Sequence, residues 1–213
     1  MLFNNALLTS AVLVGGLGFS VASYAAPITL NPSDFSVANG TTVSDNFGDT
    51  ADINFTWSVN GNMFMWNDSY SGEDAFYCGS NASAICVFNL EPLGGASLTL
   101  ISFELGNYLN RNRLVPWSIF DLDDLVNPVS TGTAEIPTPS NSPFNVTANV
   151  TSTTGFQFRF GPDGWNNGLT SLTYTINDQQ TGSGSVPAPG TLELLGLGLL
   201  GFAAKLRRRV SVA

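Results

Sequence analysis

Carboxylates are the only acid-base groups this sequence offers in number, and they cluster. Asp121, Asp123 and Asp124 fall together in Asp-Leu-Asp-Asp, Glu73 adjoins Asp74, and Asp45, Asp49 and Asp52 share one short segment. Glycoside hydrolysis needs two such groups, one acting as acid and the other as base or nucleophile. No pair here sits in a recognisable motif. Asp121 and Asp123 are expected on one face at a strand end, where they repel unless a cation or solvent separates them. Outside a cell the cation suited to such oxygen-rich loops is calcium, which makes Asp121, Asp123 and Asp124 the candidate Ca2+ ligands, although EF-hand spacing is absent. The residues require no other cofactor.

A second loop, Gly161-Pro162-Asp163-Gly164-Trp165-Asn166-Asn167-Gly168, sets an indole among polar groups. Trp165 there is placed to stack on a sugar ring while Asp163, Asn166 and Asn167 bond its hydroxyls. Read structurally, Trp165 plugs the end of a fold and the Asp and Asn side chains make turn bonds.

The 213 residues include no histidine. That removes Ser-His-Asp and Cys-His nucleophiles, histidine zinc sites and imidazole acid-base chemistry together. The formal charge is −9, the wrong sign for neutralising phosphates, so nucleic acid is excluded as a partner. Between Ala26 and Val186, Arg111, Arg113 and Arg159 oppose fifteen acids, leaving −12. Such a surface is soluble and repels anionic polymers that divalent cations do not bridge. With 43% hydrophobic and 11% charged residues, the chain has the composition of a folded protein.

The elements that must hold these groups read as strands. Period-two alternation runs through Ile53-Phe55-Trp57-Val59, Phe156-Phe158-Phe160 and Leu172-Tyr174-Ile176. Further runs are Met63 to Trp66, Ile85 to Leu90, Ser97 to Leu105, Trp117 to Leu122 and Phe144 to Val150. Turn residues such as Asn60-Gly61-Asn62 and Pro92-Leu93-Gly94-Gly95 separate them. About eight antiparallel strands, each with one apolar face, bury themselves best as two packed sheets. The expectation is all-β: an antiparallel β-sandwich of jelly-roll type over residues 26–178. Within Ser97 to Leu105 the apolar phase flips by one residue after Leu100, which predicts a β-bulge. Cys78 and Cys86 are the only cysteines, and in an exported chain such a pair is expected as a disulfide that pins a loop.

Both ends read as addresses. The apolar run Ala6 to Phe19, followed by Ser23 and Ala25 in A-x-A-like positions, predicts a signal peptide over residues 1–25, cut after Ala25. This implies the Sec machinery and signal peptidase as partners. At the other end a Gly/Ser linker over residues 179–185 leads to Val186-Pro187-Ala188-Pro189, an apolar Gly/Leu stretch and Arg207-Arg208-Arg209. The prolines hold the hinge extended. Leu192 to Leu206 would rise roughly 22 Å as a helix, a short membrane span needing snorkelling bases or a thinned bilayer. The basic end stays cytoplasmic and puts the folded part outside. Gly196-Leu197-Gly198-Leu199-Leu200-Gly201 spells a dinucleotide fingerprint, but no strand precedes it, and the glycines instead suit close helix packing in lipid.

This hinge, apolar stretch and basic stop, over 186–213, resemble the PEP-CTERM sorting tail, also called the ice-binding protein C-terminal domain. The matching positions are Val186, Pro187, Pro189, Leu194 to Gly201, and Arg207, Arg208 and Arg209, while Ala188 stands where that family usually has Glu. The resemblance implies recognition by an integral-membrane exosortase in a Gram-negative, exopolysaccharide-producing bacterium. It further implies a transient inner-membrane anchor and a final place on the cell surface or in the extracellular matrix. Pro92 to Ser97 and Gly161 to Gly168 are similar to segments of jelly-roll domains that precede such tails and look like carbohydrate-binding modules. The expectation is therefore an exported, non-catalytic protein with a structural or carbohydrate-binding role and exopolysaccharide as partner. Its rival is a secreted carbohydrate-active enzyme using two carboxylates. Ice binding needs a regular Thr ladder, and the Thr residues follow no internal repeat.

Overall fold

Alternating apolar residues between Ile28 and Asn177 fold into two sheets that trap their apolar faces between them. The structure is a computed structural model and describes residues 25–177 except 36, 80–82, 110 and 138–141. The expected signal peptide, the linker and the sorting-tail residues Val186, Pro187, Pro189 and Arg207 to Arg209 lie outside the described residues. Among the described residues no helix is long and apolar enough to cross a membrane, and the stretch expected to do so lies outside them.

In chain order come β1 (Ile28–Leu30), a short 3-10 helix (Pro32–Phe35), β2 (Ile53–Thr56), β3 (Met63–Tyr70), β4 (Glu73–Cys78), β5 (Cys86–Pro92) and β6 (Ser97–Asn107). They are followed by β7 (Arg113–Asp121), β8 (Asp124–Ile136), β9 (Phe144–Ser152), β10 (Phe156–Phe160) and β11 (Asn167–Asn177). One sheet runs β3-β4-β11-β6-β9 with β1 added on β11, and the other runs β2-β5-β10-β7-β8. Every ladder between these strands is antiparallel. From β5 onward the chain changes sheet at nearly every connection, which ties the layers together. The expected antiparallel β-sandwich is what the chain forms.

All eight runs read from the sequence overlap strands, although Trp57 and Val59 lie beyond the end of β2, and among the described residues three more strands join them. β1 is three residues long, too short to show a period. β4 is buried on both faces from Ala75 to Cys78, so its apolar residues do not alternate. β8 is an edge strand carrying Pro128 and Gly132, exposed over most of its first half, where neither core packing nor ladder bonds on its free side demand strand-like residues. The predicted bulge lies at Ile101. Leu100 pairs with Tyr174 and Val150, and Ser102 with Thr173 and Thr147, so Ile101 is the extra residue against β11, while on the β9 side Ala148 and Asn149 stand opposite it.

Aromatic rings bridge the two sheets. Trp57 stacks on Phe88 with centroids 4.8 Å apart and meets Phe76 edge-on at 4.9 Å. Phe158 continues the series to Phe88 at 5.2 Å and to Phe103 at 4.4 Å, and Phe103 meets Trp117 at 5.2 Å. Such pairs contribute roughly 0.5–1.5 kcal/mol each beyond area burial. The Trp57 indole N–H would be costly to bury unpaired, and it donates to the Phe47 carbonyl at 2.7 Å. Gly132 lies under the Trp117 indole, where an added Cβ would come within 2.6 Å of the ring. Cys78 and Cys86 are bonded, with Cα atoms 5.3 Å apart, and so join an inner position of one sheet to the other.

Candidate functional site

Strand β3 is apolar on both faces, and its outer face explains the site. Met63 and Met65 point into the core, while Phe64 and Trp66, at the alternate positions, are half-buried on the outside of the six-stranded sheet. Phe64 pairs with Tyr77 on β4, with ring centroids 5.6 Å apart. Trp66 meets Tyr77 and Tyr108 edge-on at 6.0 Å each. Trp165 closes the group, 5.4 Å from Tyr77 and 6.2 Å from Trp66, both edge-on. The patch has two layers. Tyr70, Ala75 and Tyr77 are buried within it, Phe64, Trp66 and Tyr108 are half-buried around them, and Trp165 is 37% exposed at the top.

The floor beneath Tyr70 is made of glycine. Gly106 on β6 and Gly168 on β11 are cross-strand partners. A Cβ on Gly106 would come within 2.7 Å of the Tyr70 carbonyl oxygen, and one on Gly168 within 2.9 Å of the Tyr70 ring. The tyrosine therefore lies directly on the sheet, and its hydroxyl donates to the Trp165 carbonyl at 2.5 Å. The Tyr108 N–H donates to the Asn166 carbonyl at 2.8 Å, so two patch residues hold the loop that carries Trp165. Burial pushes the Tyr70 hydroxyl well above the ordinary tyrosine range; Tyr77, Tyr108 and Asp163 add to the effect and Arg113 opposes it. It thus stays a neutral donor. Burial raises Tyr77 as well.

The loop holds itself through the groups expected to bind sugar. Asp163, at a positive φ of 70°, forms an ion pair with Arg113 and accepts from the Asn166 side chain at 2.8 Å. Asn167 is buried and donates to the Pro162 and Asp163 carbonyls, each at 3.1 Å. Asp163, Asn166 and Asn167 are thus engaged in turn bonds, and Trp165, far from plugging the sandwich, stands outside the core on its neighbours. Sequence reading picked out Trp165 and missed its companions Phe64, Trp66, Tyr70, Tyr77 and Tyr108. The available signal was Met63-Phe64-Met65-Trp66, a strand with two apolar faces at an edge where only one can join the core.

The acidic clusters are dispersed by the fold. Asp121 ends β7, Asp124 begins β8 as its partner, and Asp123 sits in the turn between them. Asp121 and Asp123 therefore do not share a strand face as expected, because the hairpin turns one residue earlier. Burial would raise Asp121, but the Thr154 hydroxyl, the Asp123 N–H and the Ser152 hydroxyl outweigh it and lower its pKa. The Asn127 side chain and N–H and the Val126 N–H lower Asp124. Asp45 accepts from the Trp57 N–H and Asp49 from the Phe55 N–H, both at 2.7 Å, and Asp74 accepts from the Asp68 N–H at 2.8 Å. Among the described residues no group of three or more Asp, Glu, Cys or His converges to hold a metal ion.

Comparison with known proteins adds one specific match. No curated protein sequence matches the chain. A solved Podospora anserina GH26-CBM35 beta-(1,4)-mannanase is similar at a TM-score of 0.36 and 16% identity, over 73% of this chain and 29% of that one. Residues 185–209 match the family model of the PEP-CTERM protein-sorting motif. That span covers the hinge prolines Pro187 and Pro189 and the basic stop Arg207, Arg208 and Arg209. The chain thus carries a PEP-CTERM protein-sorting motif behind its β-sandwich, the mark of an exported protein destined for an exosortase.

Proposed function

We propose that this is a non-catalytic surface or matrix protein whose exported sandwich binds carbohydrate through the aromatic patch around Trp165. The observation that carries the reading is the position of Trp165: exposed, outside the core, and backed edge-on by Trp66 and Tyr77. An exposed, backed ring presents its face to the C–H groups of a sugar at little conformational cost. Phe64 and Tyr108, half-buried in the same cluster, add to that surface. The sorting tail supplies the setting, in which Sec export and signal peptidase precede a transient membrane anchor, exosortase and a final place among exopolysaccharides.

The non-catalytic part of the reading is supported by how the acids are used. A glycosidase needs one carboxyl held protonated near neutral pH, whereas Asp121 and Asp124 both shift downward. Calcium at Asp121, Asp123 and Asp124 is not needed for the proposed binding. The test is a glycan array probed with the full-length chain in detergent, with calcium or with a chelator, beside Trp165→Ala. Binding that the substitution abolishes, with or without calcium, is expected. No binding to any glycan, or binding indifferent to Trp165, would sink the reading.

A further inference from the structure

The opposite outer face, that of the five-stranded sheet, carries a recess with one cation. Arg159 on β10 pairs across the strands with Val87 on β5 and Ser118 on β7, and Ser118 pairs with Thr131 on β8. These four side chains therefore form one row facing solvent. Beside the row lies an open recess of about 260 Å3, lined by Ile85, Pro116, Ser118, Thr131, Arg159 and Gly161 among others.

The guanidinium in this recess is held in place without an acid. Its Nε–H donates to Gln157 Oε1 at 2.7 Å, and Gln157 in turn donates to Asn89 Oδ1 at 3.1 Å. Its carbon lies 3.9 Å above the centre of the Phe120 ring. Nη2 makes only a long bond, 3.4 Å, to the Leu125 carbonyl. Among the described residues the one salt bridge is Arg113 with Asp163, so Arg159 has no carboxylate partner even though acids outnumber bases five to one between Ala26 and Val186. Thr131 spends its hydroxyl on the Trp117 carbonyl at 3.0 Å, whereas among the described residues the Ser118 hydroxyl, on a residue paired through its main chain with Arg159 and Thr131, has no bonded partner.

A guanidinium fixed by packing, with its outer N–H groups open beside a hydroxyl, matches a carboxylate: two parallel donors plus a third polar contact. Because the fork is already fixed by Gln157 and Phe120, little side-chain entropy remains to be lost on binding. We propose that this recess is a binding site for the carboxylate of an acidic ligand, separate from the aromatic patch and on the other face of the sandwich. Two sources share that chemistry, the uronate units of an acidic polysaccharide and a free small organic acid. Ile85 and Pro116 give the recess an apolar side.

The test is calorimetry with the full-length chain in detergent at low salt, using trigalacturonate, succinate and neutral maltotriose. A carboxylate-dependent affinity is expected that falls with added salt, is lost in Arg159→Met, and drops about tenfold in Arg159→Lys, which keeps the charge but not the fork. Ser118→Ala should weaken it without touching the fold, which covers the case in which Arg159→Met does not fold. Trigalacturonate binding more tightly than succinate identifies the saccharide as source; equal affinity identifies the free acid. No carboxylate binding, or binding unchanged in Ser118→Ala and in Arg159→Lys, overturns the proposal. Trp165→Ala should leave this binding intact, so failure here is distinct from failure of the patch.

Discussion

The Tyr70 hydroxyl donates to the main-chain carbonyl of Trp165, 95 positions along the chain, and this bond joins the β3 edge to the loop that carries the most exposed indole of the patch. Tyr70→Phe keeps the ring on Gly168 but removes one of the bonds that hold the loop. A loss of about 1 kcal/mol is expected for one buried hydrogen bond, seen as a lower urea midpoint, together with weaker glycan retention. Unchanged retention would separate the loop from the binding surface.

The two tryptophans Trp165 and Trp57 should behave in opposite ways. Trp57 is 1% exposed within the ring series of the core, and truncating it to Ala should cost about 3–5 kcal/mol and leave little folded protein. Trp165→Ala should keep the melting transition within about 1 kcal/mol while removing glycan binding. Circular dichroism melts of both variants check this directly.

Reducing the Cys78–Cys86 bond should destabilise the sandwich by about 2–3 kcal/mol on the chain-entropy estimate for so short a loop. Gly164→Ala should act on the same place, because a Cβ there would lie 2.7 Å from the Cys78 sulfur and 2.8 Å from that of Cys86. Urea titrations with and without reductant measure both effects, and Gly164→Ala is expected to destabilise the chain in both redox states, because the Cys78 carbonyl oxygen, 2.9 Å from that Cβ, is there in each.

Stability should fall at both ends of the pH scale, for separate reasons. Asp121 is held below its ordinary value, so its contribution is present above about pH 4 and is lost as pH falls through the lowered value. Burial pushes Tyr174 up to about 12, so its contribution is complete below about pH 10 and is lost as pH rises toward 12. Urea midpoints across pH 2–12 should show Asp121→Asn reducing the acid limb, which Asp124 shares, and Tyr174→Phe reducing the alkaline limb, to which the raised Tyr70 and Tyr77 also contribute. A flat alkaline limb in the unmodified chain would contradict the Tyr174 shift.

In the sorting tail, replacing Arg207, Arg208 and Arg209 by Ala should remove the basic stop and misplace the chain. Ala188→Glu should speed tail processing by restoring the acid usual at that position. Pulse-chase gels of membrane and medium fractions read both.

Export, strand content and the antiparallel two-sheet fold were legible in the residues themselves. The hinge and basic stop of the sorting motif are local patterns in the chain, and strand alternation follows from one apolar face per strand. Even the Ile101 bulge showed as a one-residue phase change in β6. β4 and β8 did not show, since one is covered on both faces and the other spends half its length exposed at an edge.

The sites depend on distant partners, and there the linear sequence gives no bearing. The acids near residue 121 looked like a cluster, yet the hairpin hands Asp121 to Ser152 and Thr154 and leaves Asp124 to cap its own turn. Trp165 looked ready for a sugar beside Asp163 and Asn167, and the fold gave those two to the loop while setting Trp66 and Tyr77 beside the indole. Which face of β3 joins the core and which stays outside is decided by sheet pairing. Alternation alone marks two apolar faces and cannot rank them.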